Sequence, residues 1–119
     1  MSVFISYSHE DREYVDGLSY LLGGHNIKVW RDLWQISPGE DFSTRIEEAL
    51  RQVTAVCVVV SGHSLNSPWV EREIQAALTR ASGDPDFVVL PILRDDIDLP
   101  SVLRRRIFVD MPRSSRRRA

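Results

Sequence analysis

Apolar positions along the 119-residue chain switch repeatedly between two periods. Short runs rich in β-branched residues alternate with stretches whose apolar residues recur every three or four positions, which predicts strands and amphipathic helices in alternation. Val3, Phe4 and Ile5 predict a first strand. Tyr14, Val15, Leu18, Leu21 and Leu22 then share a helix face, with Ser8 as cap, Asp11 completing a capping-box pattern, and Gly23-Gly24 as the stop. Residues 27–30 predict a second strand; Phe42, Ile46, Ala49, Leu50 and Val53 mark a second helix; residues 55–60 predict a third strand. Ser67 and Pro68 open a third helix as cap and first helical residue, and Val70, Ile74, Ala77, Leu78 and Ala81 form its stripe. Gly83-Asp84-Pro85 breaks that helix, and residues 87–90 and 107–109 predict the last two strands.

The third and fourth runs are apolar on both faces, as strands are when helices cover both sides of a parallel sheet. The alternation therefore means α/β, an open parallel sheet with helices on both faces; the expected form is flavodoxin-like, five strands in the order 2-1-3-4-5. Ligands of such sheets bind outside the carboxyl ends of the strands. That points to residues 6–9, 31–41, 61–67 with the following helix, and 91–98.

Composition narrows the classes without changing the fold. With 43% apolar and 27% charged residues the chain is an ordinary globular sequence of one-domain length. Its net charge of −2 hides a split: residues 104–119 carry seven arginines against Asp110, a balance of +6, which leaves −8 on residues 1–103. An acidic body argues against a fold built to grip nucleic acid or anionic lipid. The longest apolar run before Pro91 has six residues, too few to span a membrane, and acids arrive by Glu10, before any signal-peptide apolar stretch. A single cysteine, Cys57, in an apolar run reads as a buried structural thiol, and three scattered histidines form no metal cluster, so no metal is expected. A soluble, cytoplasmic protein is the expectation.

Several chemistries drop out on motif grounds. No G-x-G-x-x-G follows the first strand and no phosphate-binding Gly-x4-Gly-Lys-Ser/Thr occurs. Gly62-His63-Ser64-Leu65-Asn66 lacks the second glycine of a nucleophile elbow. Ser61 stands where a phospho-receiver domain carries its aspartate, and the only lysine, Lys28, is in the wrong strand.

Four segments in order resemble one family. Phe4-Ile5-Ser6-Tyr7-Ser8 resembles the first box of Toll/interleukin receptor (TIR) domains. Trp30-Arg31-Asp32 through Ile36-Ser37-Pro38-Gly39-Glu40 is similar to the loop after their second strand. Val58-Val59-Val60-Ser61 followed by Ser67-Pro68-Trp69-Val70-Glu71-Arg72-Glu73-Ile74 resembles their third strand and Trp-x-x-x-Glu helix, and Phe108-Val109-Asp110 falls at their last strand. The set covers about 110 residues and looks most like bacterial-type, NAD-cleaving TIR domains.

The resemblance implies a TIR-domain NAD+ nucleosidase that breaks the nicotinamide–ribose bond, with or without cyclisation, in bacterial immune-type (antiviral) defence. NAD+ would be substrate rather than cofactor. Glu73 matches the catalytic position; Ser6, Tyr7, Ser8, Arg31, Trp34 and Trp69 are the expected substrate contacts, with Arg31 on a phosphate and the aromatic rings as flat surface. The loop Ile36, Ser37, Pro38, Gly39, Glu40 and Asp41 is expected to mediate self-association, alongside a fused or separate sensor domain. The alternative implied is a non-enzymatic adaptor that signals through TIR–TIR contacts.

The residues themselves leave plainer readings open. Ser37-Pro38-x-Glu40 is also a helix-capping pattern, Trp69 also fits simple packing, and Tyr7 and His63 read as pocket lining or surface groups rather than catalysts. At about 100° per residue Trp69 and Glu73 lie on one edge of the third helix and Glu71 on the other. Spacing alone fits Glu73 as a solvated surface charge paired with an arginine as well as a cleft carboxylate. One departure from the family stands out: the chain runs from residues 110–112 into an Arg-rich tail where a closing helix is usual. The TIR domain is therefore placed at 1–112 and the tail or linker at 113–119. One face near the last strand should be less well covered, by expectation awaiting a neighbouring chain or a further domain.

Overall fold

A computed structural model of the chain describes residues 1–31, 39 and 41–112. The strands are β1 (Ser2–Ser6), β2 (Lys28–Trp30), β3 (Ala55–Val60), β4 (Val88–Leu93) and β5 (Val109–Asp110), and the helices are α1 (Arg12–Gly23), α2 (Phe42–Arg51) and α3 (Pro68–Ser82). All strand pairs are parallel and the order is β2-β1-β3-β4-β5, as the sequence pattern predicts.

Side-chain alternation sorts the strands into two cores. Phe4, Val56, Val58, Val60 and Val89 pack with Ile46, Leu50, Val70, Ile74 and Ala77 of α2 and α3. Ile5, Tyr7, Cys57, Val59 and Ile92 pack with Val15 and Leu18 of α1 on the other face. Every residue of β3 is buried, which explains its uninterrupted apolar run. By the same alternation Ser6 turns to the α3 face with Phe4, and Tyr7 turns to α1 with Ile5.

Local details refine these expectations. Ser8 caps a 3₁₀ turn, His9–Asp11, by accepting from the Glu10 N–H at 3.4 Å; Asp11 closes no capping box, because its carboxylate turns into the protein. Gly23 ends α1 and Gly24 is its C-cap, as expected, while Gly24 stays right-handed and the left-handed residue that turns the chain is Asn26 at φ 63°. α2 begins at Phe42 with Asp41 as its N-cap, and the capping reading of Ser37-Pro38-x-Glu40 falls on residues outside the described ones.

β4 runs through Pro91 to Leu93 rather than ending at residue 90. The amides of Val88 and Arg94 both donate to the β3 side, so the alternating position of Pro91 faces β5, whose pairing starts only at Ile92. The missing N–H therefore costs no ladder bond.

The last strand is Val109–Asp110, leaving Ile107 85% and Phe108 47% exposed. Beside it a groove of about 500 Å³ lined by Leu93, Ile97, Leu99, Arg104 and Phe108 stays open, in line with the expected thin cover near this strand. Arg104 and Arg105 lie exposed on the surface just before it.

Candidate active site

The site is built where β1 ends and α3 begins. Ser67 caps α3, its hydroxyl accepting from the Val70 N–H at 3.3 Å, and Pro68 occupies the first turn, so the start of the helix is fixed beside the strand ends. Trp69 lies in that first turn and Glu73 one turn on, stacked along the same edge. The strand alternation that sends Ser6 to this face brings its hydroxyl to Glu73.

The result is a three-residue cluster around one carboxylate. The Ser6 hydroxyl donates to Glu73 Oε1 at 2.8 Å, and the Trp69 indole N–H donates to Oε2 at 2.8 Å. Glu73 is 2% exposed, which removes the solvated-surface reading. Among the described residues no arginine, lysine or histidine pairs with it; both partners are neutral donors. Burial pushes its acid up to about 8, against the two hydrogen bonds, which favour the charged form. Carboxyls of active sites share this kind of setting, a raised acid beside a cleft.

A cavity of about 270 Å³ adjoins the cluster, lined by Tyr7, Ser8, His9, Ser67 and Trp69. It is smaller than the roughly 300–1,000 Å³ typical of ligand sites. A larger groove of about 810 Å³ runs between α2 and α3 past Ile46, Leu50, Glu71 and Arg72. That groove shares no lining residue with the cavity, and the smaller one is the one tied to the buried carboxyl, through Trp69, which lines it and donates to Glu73.

The structure places the other sequence candidates unevenly. Ser6 is wholly buried and committed to Glu73, so it stands behind the carboxylate rather than in a ligand's path. Tyr7 is buried on the α1 side, with the Arg31 guanidinium 5.6 Å from its ring centre. Arg31 itself pairs with Asp16 and donates to the Ser19 hydroxyl at 2.9 Å, which holds it against α1. Gly39 takes φ 88°, a left-handed conformation that glycine adopts without strain, and Asp41 accepts from the Thr44 hydroxyl at 2.8 Å. Trp34, Ile36, Ser37, Pro38 and Glu40 lie outside the described residues, as does the tail 113–119. His63 is a surface group 3.7 Å from Glu10.

Sequence reasoning missed a second buried cluster at the same sheet edge. Asp11 Oδ2 accepts from the Ser61 hydroxyl, and Arg94 Nη1 lies 3.1 Å from Asp11 Oδ1, an ion pair without hydrogen-bond alignment. Asp95 beside it accepts from the Gly62 N–H at 2.9 Å. The cluster ties together the residues that follow β1, β3 and β4. His9 and Ser67, which also line the cavity, fall in the strand-end segments 6–9 and 61–67 that the sequence points to, though they were not among the named contacts.

A family model described as "TIR domain" matches residues 3–119, and the chain belongs to that family. It is 29% identical over 90 residues to NAD(+) hydrolase TcpC of Escherichia coli O6:H1, covering 75% of this chain and 29% of the relative. It is 28% identical over 111 residues to NAD(+) hydrolase TcpA of a Theionarchaea archaeon, covering 88% and 33%. It is 27% identical over 90 residues to 2′ cyclic ADP-D-ribose synthase BtTIR of Bacteroides thetaiotaomicron, covering 75% and 31%. The chain thus spans about a third of the length of these curated relatives.

Two solved structures share its shape. The TIR domain of the Toll-related receptor TRR-2 from Hydra magnipapillata superposes with a TM-score of 0.75 at 25% identity, over 91% of this chain and 82% of that one. The TIR domains of the activated Roq1 resistosome give 0.68 at 25% identity, over 87% and 62%.

Proposed function

We propose that this TIR domain cleaves the nicotinamide–ribose bond of NAD+ with Glu73 as its reacting carboxylate. The observation that carries the reading is that carboxylate's setting: buried, held on both oxygens by neutral donors, and placed at the carboxyl ends of the strands. The names of relatives, both NAD(+) hydrolases and a cyclic ADP-ribose synthase, support it.

The chemistry suits a lone carboxylate. As the C–N bond breaks, its electron pair passes to the pyridinium nitrogen, and nicotinamide leaves neutral, so no general acid need protonate it. That removes half of the usual two-carboxylate glycosidase apparatus. The ribose is left as an oxocarbenium-like cation, which a nearby anion stabilises and orients through the ribose hydroxyls. Water then adds to the anomeric carbon and releases a proton to solvent, giving ADP-ribose; an internal nucleophile of the same molecule gives a cyclic product instead. The positive charge of the bound pyridinium favours the ionised form of Glu73 and offsets its burial. Trp69 supplies flat apolar surface for a ring.

Self-association fits this reading, since the cavity beside Glu73 is small, and the family resemblance assigns its completion to a loop from another copy. The neighbouring Roq1 structure is itself an assembled resistosome. A signal-generating role in bacterial defence, in the cytoplasm and under a sensor domain, belongs to the same proposal. Concentrated protein incubated with NAD+ should release nicotinamide together with ADP-ribose or its cyclic isomer, read by chromatography. NAD+ left intact even when self-association is forced would leave an interaction module in place of an enzyme.

A further inference from the structure

Six polar residues are buried among the described ones, and two of them, Ser6 and Glu73, belong to the candidate site. The other four are Ser8, Asp11, Ser61 and Ser64. Burying polar groups is unfavourable unless their hydrogen bonds are made, and here the bonds form one continuous path.

The path joins the two walls of the cavity beside Glu73. Tyr7, Ser8 and His9 form one wall, Ser67 and Trp69 the other. The Asp11 N–H donates to the Ser8 carbonyl at 2.7 Å, and the Asp11 carboxylate accepts from the Ser61 hydroxyl. Ser61 and Ser64 then bond reciprocally, as in a capping box. The Ser64 N–H donates to the Ser61 hydroxyl at 3.1 Å, and the Ser61 N–H to the Ser64 hydroxyl at 2.9 Å. The Ser64 carbonyl accepts from the Ser67 N–H at 3.1 Å, and Ser67 caps the turn of α3 that carries Trp69. The three-residue spacing of Ser61, Ser64 and Ser67 hands each turn to the next.

The end of β4 braces the path from behind, with Arg94 against Asp11 and Asp95 accepting from the Gly62 N–H. On the surface His63 and Glu10 join the same two segments at 3.7 Å, but both are exposed and such a pair is worth little in water.

We infer that Asp11, Ser61 and Ser64 are positioning residues for the substrate, a buried relay that sets the spacing of the two walls. The inference rests on the NAD+-cleaving reading and adds to it what holds the binding cavity in shape. Glu73 keeps its own donors, Ser6 and Trp69, when the Ser61 hydroxyl is lost. The penalty therefore falls on substrate binding rather than on the chemical step.

Ser61→Ala and Ser64→Ala each cut the relay, and Val53→Ala is the control. Val53 is buried just before β3, at the opposite end of the strands from the cavity, so its truncation lowers stability and leaves the relay intact. With every variant shown to be folded, KM for NAD+ should rise about 3- to 10-fold in the two serine variants, at a kcat within about twofold of wild type. Val53→Ala should keep KM within about twofold. Affinity for a carbocyclic NAD+ analogue that resists cleavage should fall in step with KM. An NMR readout needs no turnover: the amide signals of His9 and of Val70, which Ser67 caps, should both shift in Ser61→Ala.

A KM in Ser61→Ala within about twofold of wild type overturns the relay, as does a kcat loss at unchanged KM. An equal rise of KM in Val53→Ala overturns it too, by making the effect one of stability alone, and so does an unmoved Val70 signal. Wild-type protein that neither binds the analogue nor releases nicotinamide sinks the NAD+-cleaving reading instead, while shifts of both amide signals in Ser61→Ala would still show the two walls coupled.

Discussion

Two buried carboxylates lie at the same edge of the sheet, and each accepts a hydrogen bond from a serine hydroxyl. Glu73 is held by Ser6 and by the Trp69 indole, both neutral. Asp11 is held by Ser61 and has the Arg94 guanidinium 3.1 Å away. A carboxylate matched with a buried cation is stabilised in place and has no charge to spare for a ligand. A carboxyl surrounded by neutral donors has no cation to balance it: burial holds its proton up to about pH 8 in the free fold, and an arriving cationic substrate draws out the charge it can use. Burial alone does not mark a functional acid; the kind of partner does.

The largest expected effect falls on the paired carboxylate. Asp11→Ala leaves Arg94, whose side chain is 11% exposed, with only the more exposed Asp95 at 3.5 Å, which should cost up to about 3–5 kcal/mol of stability in urea unfolding. That is a large share of the roughly 5–15 kcal/mol of a typical domain. A variant within about 1 kcal/mol of wild type would remove the contrast between the two sites.

Glu73 should show the opposite signature, with stability that depends on pH. Its acid is raised from 4.5 to about 8 on folding, so the folded chain holds a proton that the unfolded chain sheds. The stabilising share is fully present below pH 4.5, declines as pH rises, and is gone above about 8. Within that window the slope reaches at most about 1.4 kcal/mol per pH unit. Glu73→Gln should flatten it, and the wild-type-minus-variant difference across urea melts isolates this group from the histidines. A difference that does not change with pH would mean that the burial penalty on Glu73 is absent.

A smaller effect belongs to the scaffold that sets the first turn of α3. Ser67→Ala removes the cap on Val70 and should cost about 1 kcal/mol, seen as a drop of a few degrees in the melting temperature. If the change costs nothing, the cap does not fix the helix start beside Trp69.

Much of this was legible in the chain. The six-residue run of β3 and the three-and-four spacing of α3 follow directly from burial on two faces and on one stripe. The open parallel α/β sheet followed from strand–helix alternation, and Trp69 with Glu73 from helical spacing. The Ser6–Glu73 bond was not read, because the partners are 67 positions apart. Alternation along β1 does put Ser6 on the face of Phe4, but only the packing of α3 on that face brings Glu73 to it. Asp11 was misread because a capping box and a buried ion pair use the same residue type at the same place. Pro91 was taken as a strand end, since its missing N–H is harmless only given which neighbour that position faces. Asn26 was overlooked behind two glycines that look like better stops.

The most direct test of the contrast between the two carboxylates is nicotinamide release from NAD+ by Glu73→Gln, measured beside wild type at equal concentration once both are shown by circular dichroism to be folded. The account predicts release by wild type and a rate at least about 100-fold lower in the variant, at unchanged or higher stability near pH 8. A folded Gln variant that releases nicotinamide as fast as wild type would contradict it.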